Sequence, residues 1–167
     1  MGRSPLWFGP APGSPPSNRF DDPLGAFRVC YIGVTLEASF AESFLRNPPI
    51  RLLSLTHLAT RGAALLGVSR DLRIGELYGP GLAKMGATAE VSSGPYDLSR
   101  AWARALWEHP DRPDGIAYSS RHDDSARCVA LFDRASDALS VLSTAPLTDD
   151  GVRLARLLRR YDVGLTP

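Results

Sequence analysis

Strand-like and helix-like segments follow one another along this chain without a regular strand–helix–strand repeat. That order favours the α+β class over a doubly wound parallel sheet. Residues 27–34 read as a strand, with Phe27, Val29 and Tyr31 facing one way and Arg28, Cys30 and Ile32 the other. Thr35 is placed to cap a helix over residues 36–46, which Asn47-Pro48-Pro49 would end. Leu36, Phe40 and Phe44 form the apolar stripe of this helix, while Ser39, Glu42, Ser43 and Arg46 fall on a different face. Residues 50–55 predict a short strand and 57–66 a second helix. From 67 to 94 the chain is glycine-rich and aperiodic, and reads mostly as loop. Residues 97–108 have helical periodicity, with Leu98, Trp102, Ala105 and Leu106 along one side. Strands are expected at 115–119 and 128–133, separated by the polar connection His122-Asp123-Asp124-Ser125, with a further strand at 139–142. A last helix over 149–161 aligns Leu154, Leu157, Leu158 and Tyr161.

Prolines at positions 5, 10, 12, 15, 16 and 23 prevent a regular helix or central strand before Phe27. The chain therefore divides into a proline-rich segment, 1–18, and a single domain, 19–167. A formal net charge of +1 supplies no field for nucleic acid or an anionic membrane. No run approaches the roughly 18–20 apolar residues of a membrane span. The start lacks the apolar core of a signal peptide, and Leu6 stands where a myristoylation motif beginning at Met1-Gly2 wants Ser or Thr. The expectation is a cytoplasmic protein. Cys30 and Cys128, each inside an apolar run, read as buried reduced thiols, and no metal-ligand spacing occurs. Neither G-x-G-x-x-G nor G-x-x-x-x-G-K-[ST] is present, so the common nucleotide-binding folds lack support.

Six short motifs nevertheless occur in a recognisable order between residues 17 and 135. They are Arg19-Phe20 with Pro23 and Gly25, the strand ending in Tyr31, Phe40-Ala41-Glu42, Tyr96-Asp97-Leu98-Ser99, Asp114-Gly115-Ile116-Ala117-Tyr118-Ser119-Ser120-Arg121, and Ala130-Leu131-Phe132-Asp133. Together they resemble the RES domain family, the toxin half of Res–Xre toxin–antitoxin pairs. The resemblance implies an ADP-ribosyltransferase-like split mixed β-sheet flanked by helices. It also implies an enzyme that consumes NAD as a substrate rather than a cofactor, breaking the nicotinamide–ribose bond by hydrolysis or phosphorolysis. Transfer of ADP-ribose to a protein, or a catalytically degenerate binding domain, are the alternatives. An Xre-type antitoxin is the implied partner, with no membrane and no direct nucleic-acid contact.

Within that resemblance each residue has a chemical reason. Cleavage at a positively charged nicotinamide releases a neutral leaving group and passes through an oxocarbenium-like ribose. A fixed carboxylate beside that cation is the main requirement, and Glu42 is the candidate. Arg19 offers a rigid fork of donors to the pyrophosphate or ribose. Tyr31 would pack on the nicotinamide or bond its amide. Ser120 would bond the ribose or carboxamide; Ser119 is its rival, because one residue of register reverses the face, and Tyr118 shares the Ser120 side. Arg46 and Arg121 are reserve phosphate ligands. His57, His109 and His122 fall into no catalytic spacing.

Overall fold

The computed structural model describes residues 4–167 apart from Pro10, Pro12 and Pro48. The Met1-Gly2 start and Pro48 of the expected helix stop lie outside the described residues. The chain opens with β1 (Val29–Gly33), α1 (Leu36–Phe44), β2 (Leu52–Ser54), α2 (Leu55–Ala59), β3 (Gly62–Val68) and β4 (Ile74–Leu77). Three helices follow: α3 (Gly79–Met85), α4 (Glu90–Ser93) and α5 (Tyr96–Glu108). Then come β5 (Gly115–Ser119), β6 (Arg127–Phe132), a 3₁₀ turn (Asp133–Ala138), β7 (Leu139–Pro146), α6 (Gly151–Arg160) and β8 (Gly164–Thr166).

The main sheet has the order β1-β6-β5-β4, with β6 antiparallel to both β1 and β5 and β4 parallel to β5. A parallel pair needs a long crossover, and α3, α4 and α5 supply it between β4 and β5. Two smaller ribbons complete the strands: β2 with β8, parallel, and β3 with β7, antiparallel. This is the mixed sheet flanked by helices expected of the α+β class.

Two apolar cores hold these layers. In the first, Val29, Ile116, Tyr118, Ala130 and Phe132 of the sheet meet Ala103 and Leu106 of α5, with Phe20 and Phe27 from the N-terminal run. Phe27 stacks on Trp107 at 4.9 Å and meets Phe132 edge-on at 5.0 Å. In the second, Phe40 and Ala41 of α1 meet Leu154 and Leu157 of α6 and Leu58 of α2. Each large side chain so buried contributes about 1.5–3 kcal/mol. The apolar stripe of α1 thus faces α6, which frees its polar face for the other side. Thr35 caps α1 as expected, its Oγ1 accepting from Ala38 N at 3.2 Å. A Cβ at Gly33 would strike Ser39 Oγ and the Ser39 backbone nitrogen, so only glycine lets α1 begin this close to the end of β1.

Three expectations are corrected. The predicted helix over 57–66 is only the short α2, and Gly62–Val68 is a strand paired along β7 from Gly62↔Pro146 to Val68↔Leu139. Its alanines and leucines carry no alternation and favour helix locally, but the ladder with β7 overrides that preference. The 67–94 loop contains β4, α3 and α4; α3 starts with Pro80 in its first turn and ends at left-handed Gly86 (φ 67°). The face of α5 is rotated: Ser99, Ala103 and Leu106 are buried while Ala105 is exposed. The alignment of Leu154, Leu157, Leu158 and Tyr161 on α6 stands. Both cysteines are buried free thiols, and burial pushes Cys30 up to about 11 and Cys128 to about 12. Among the described residues no helix is long and apolar enough to cross a membrane.

Candidate functional site

The polar face of α1, the end of β1, the turn after β5 and the N-terminal run enclose a cleft of about 580 Å³. That volume lies within the range that takes small organic ligands. Ser39, Glu42, Ser43 and Arg46, the four residues assigned to the polar face of α1, all line it. Arg19, Tyr31 and Tyr118 line it as well.

Glu42 is held from one side only. Its Oε1 accepts from Ser120 Oγ at 2.7 Å and from the Arg121 backbone N–H at 3.1 Å. Its Oε2 has no hydrogen bond to a described residue. Ser120 is buried, and its hydroxyl accepts from the backbone N–H of His122 at 3.1 Å and of Asp123 at 3.3 Å. The hydroxyl hydrogen is thereby directed at Glu42. Ser119 points elsewhere, its Oγ accepting from Arg127 Nη1 at 3.0 Å. Of the two serines, only Ser120 meets Glu42.

The turn that carries Ser120 is itself fixed by the C-terminal helix. Asp123 Oδ2 accepts from Tyr161 Oη at 2.8 Å and from Arg160 Nη2 at 3.1 Å, and Oδ1 accepts from both the hydroxyl and the backbone N–H of Ser125. The Ser125 hydroxyl, followed by Tyr161 and Arg160, lowers the Asp123 carboxyl to about 2, against burial. A depressed carboxyl stabilises the folded state above its unfolded value, about 3.9, and that stabilisation is lost as the pH falls through the folded value. Thermal unfolding measured from pH 5 to pH 2 should therefore show a fall in midpoint between about pH 4 and 2 that Asp123→Asn reduces. An identical pH slope in the variant would show that Asp123 does not tie the turn to α6.

Arg19 is buried and has no carboxylate within ion-pair distance among the described residues. Its Nη1 donates to Gly94 O at 2.8 Å and Ser99 Oγ at 3.1 Å, and the guanidinium lies 4.7 Å from the centre of the Tyr96 ring. Burial pulls its pKa below the usual arginine value, and neighbouring Arg121 adds to this against Tyr96 and Glu42. An arginine remains charged there, so the cleft holds a cation without its counter-ion. Arg46 and Arg121 also line the cleft without a carboxylate partner, Arg46 Nε donating to Glu42 O at 2.7 Å. Glu42 is the only acidic lining residue among those described.

Tyr31 lines the cleft with its hydroxyl already engaged within the fold. Its hydroxyl donates to Asp21 Oδ1 at 2.9 Å and accepts from Phe20 N at 2.9 Å. Burial and the Asp21 carboxylate drive its pKa well above that of a free phenol. The hydroxyl thus fixes the Arg19–Asp22 turn, and only the ring is left to face the cleft. Tyr118 packs on Phe20 with ring centroids 4.8 Å apart, and its hydroxyl pairs with the Cys128 sulfur. Sequence reasoning missed Asp21, Tyr96, Ser99 and His122. Tyr96 and Ser99 stand within the fourth motif and Asp21 directly follows Arg19-Phe20 of the first, so the motifs were the available signal for these three.

A mixed sheet flanked by helices thus carries a cleft whose charged lining, among the described residues, is Arg19, Arg46 and Arg121 around the one carboxylate of Glu42. The chain belongs to the RES domain family, whose model matches residues 2–153. A curated relative, "Probable toxin y4kH" of Sinorhizobium fredii (strain NBRC 101917 / NGR234), is 33% identical over 112 residues, which cover 66% of this chain and 87% of that protein. No solved structure matches the chain.

Proposed function

We propose that this chain is a toxin of a toxin–antitoxin pair and that it consumes NAD in the cleft around Glu42, on an ADP-ribosyltransferase-like fold. The observation that carries this reading is the state of Glu42: one oxygen pinned by Ser120 and Arg121, the other open, in a cleft whose remaining charged lining groups are cations. NAD presents what such a site complements, a pyrophosphate for the arginines and a ribose whose C1′ becomes cationic as nicotinamide leaves.

The residues divide the work. Arg19 holds the pyrophosphate with the donors its Gly94 and Ser99 contacts leave open, and Arg46 and Arg121 add positive charge at the rim. The Tyr31 ring supports the nicotinamide. Glu42 Oε2 accepts from the ribose 2′-hydroxyl and faces C1′ as positive charge develops there. Ser120 acts through Glu42 as a positioning residue, since its hydroxyl fixes the carboxylate before substrate arrives. The C1′–N bond electrons leave with nicotinamide, which departs neutral and needs no general acid. The acceptor is water or phosphate, with transfer to a protein side chain as the alternative outcome.

The test is incubation of the purified chain with NAD in phosphate-free buffer, in phosphate buffer, and with a bacterial lysate as protein acceptor. Release of nicotinamide, with ADP-ribose, its phosphate or a modified protein as the second product, is expected. Intact NAD in all three arms would refute the reading. The antitoxin would be an Xre-type protein, and an acidic or carboxylate-terminated segment would satisfy Arg19 as pyrophosphate does. Expression of this chain alone should deplete cellular NAD and stop growth, and co-expression of the antitoxin should restore both.

A further inference from the structure

His122 lines the cleft with Glu42, and the division of work above gives it no role. Its backbone N–H donates to Ser120 Oγ, the same hydroxyl that donates to Glu42 Oε1. That link fixes the residue next to the candidate carboxylate. Neither imidazole nitrogen has a hydrogen-bond or ion-pair partner among the described residues. The charged groups facing it are Glu42 of α1, Arg46 just past the end of that helix, Arg19 of the N-terminal turn and Arg121 of its own loop. Burial lowers its pKa from the ordinary imidazole value, and Arg121, Arg46 and Arg19 lower it further against the opposing pull of Glu42. The ring is therefore neutral at pH 7, with one nitrogen an open acceptor.

We propose that His122 is the catalytic base that takes the proton of an attacking water, an assignment that rests on the NAD-cleaving reading of the site. As the water oxygen bonds to C1′, one of its hydrogens passes to the free imidazole nitrogen. The C1′–N pair leaves with nicotinamide. The imidazolium then returns the proton to solvent, so that NAD and water become ADP-ribose, nicotinamide and one proton. Three arginines around the ring oppose a second positive charge, which makes that return fast. A nucleophile that carries no proton, such as azide, needs no such base and bypasses His122.

Partition between water and azide separates this role from a structural one. With NAD and a fixed azide concentration, His122→Asn should raise the ratio of ADP-ribosyl azide to ADP-ribose on the order of 10²-fold, the usual scale of general-base catalysis. Azide-adduct formation should stay within about twofold, which also shows on the same sample that the variant is folded and binds NAD. The acid limb of wild-type hydrolysis, at or below about pH 6.5, should vanish in the variant. An unchanged product ratio overturns the proposal, as does a parallel fall of both products in His122→Asn and His122→Ala alike. A wild-type chain that leaves NAD intact removes the NAD reading and this assignment together, whereas active wild type with an unchanged ratio removes only the assignment.

Discussion

Glu42→Gln should lower NAD turnover by about 10²–10³-fold, since one preorganised contact to transition-state charge is worth roughly 3–4 kcal/mol. The substitution keeps the side chain's size and a carbonyl oxygen for Ser120 Oγ and Arg121 N, so both tethers persist. Glu42 lies on the face of α1 opposite Phe40 and Phe44, which carry the packing against α6. The unfolding midpoint should therefore stay close to that of wild type. The loss should fall on kcat, because the interaction strengthens only as C1′ becomes cationic. Ser120→Ala should reproduce part of this loss, and the Glu42→Gln,Ser120→Ala double variant should be no worse than Glu42→Gln alone, as expected of a residue that acts through another. Full turnover by folded Glu42→Gln would remove Glu42 from the mechanism.

Arg19→Met should separate binding from stability. A buried cation without a counter-ion costs desolvation that the fold need not bear, and a methionine of similar length avoids it. The Gly94 carbonyl and Ser99 hydroxyl lose a donor, which offsets that relief, so stability should change by no more than about 1 kcal/mol. NAD affinity should fall by roughly 10–150-fold, the equivalent of about 1.5–3 kcal/mol for a charged hydrogen bond. Arg19→Lys should rescue poorly, because one ammonium cannot reach Gly94 and Ser99 while presenting further donors to a pyrophosphate. Isothermal titration with NAD on the Glu42→Gln background, where turnover does not interfere, checks both variants. Unchanged affinity in Arg19→Met would move the anion site to Arg46 and Arg121.

What the sequence made legible was governed by local periodicity. The two faces of α1 follow from a spacing near 3.6, so Glu42 could be assigned away from the core before any tertiary contact was known. The preference for Ser120 over Ser119 followed from its parity with Tyr118 on β5, and the contact with Glu42 lies on that side. Features that depend on distant partners were not legible. Gly62–Val68 becomes a strand only through β7, and Gly164–Thr166 only through β2, each too short or too unpatterned to declare itself. Nothing in the run Phe27–Val34 reports that Asp21 folds back over the Tyr31 hydroxyl, so the choice between ring packing and an amide bond stays open in the sequence. His122 falls into no catalytic spacing, and its place in the cleft depends on how the turn after β5 meets α1.

The seat of Glu42 also orders events during synthesis. Arg19 and Glu42 precede the serine that pins the carboxylate, which lies 78 residues beyond Glu42. The turn around that serine is in turn braced by Arg160 and Tyr161, near the end of the chain. A nascent or truncated chain therefore carries the charged groups without the geometry that makes them a site. The seat of the carboxylate is braced only with the end of α6 packed onto the turn.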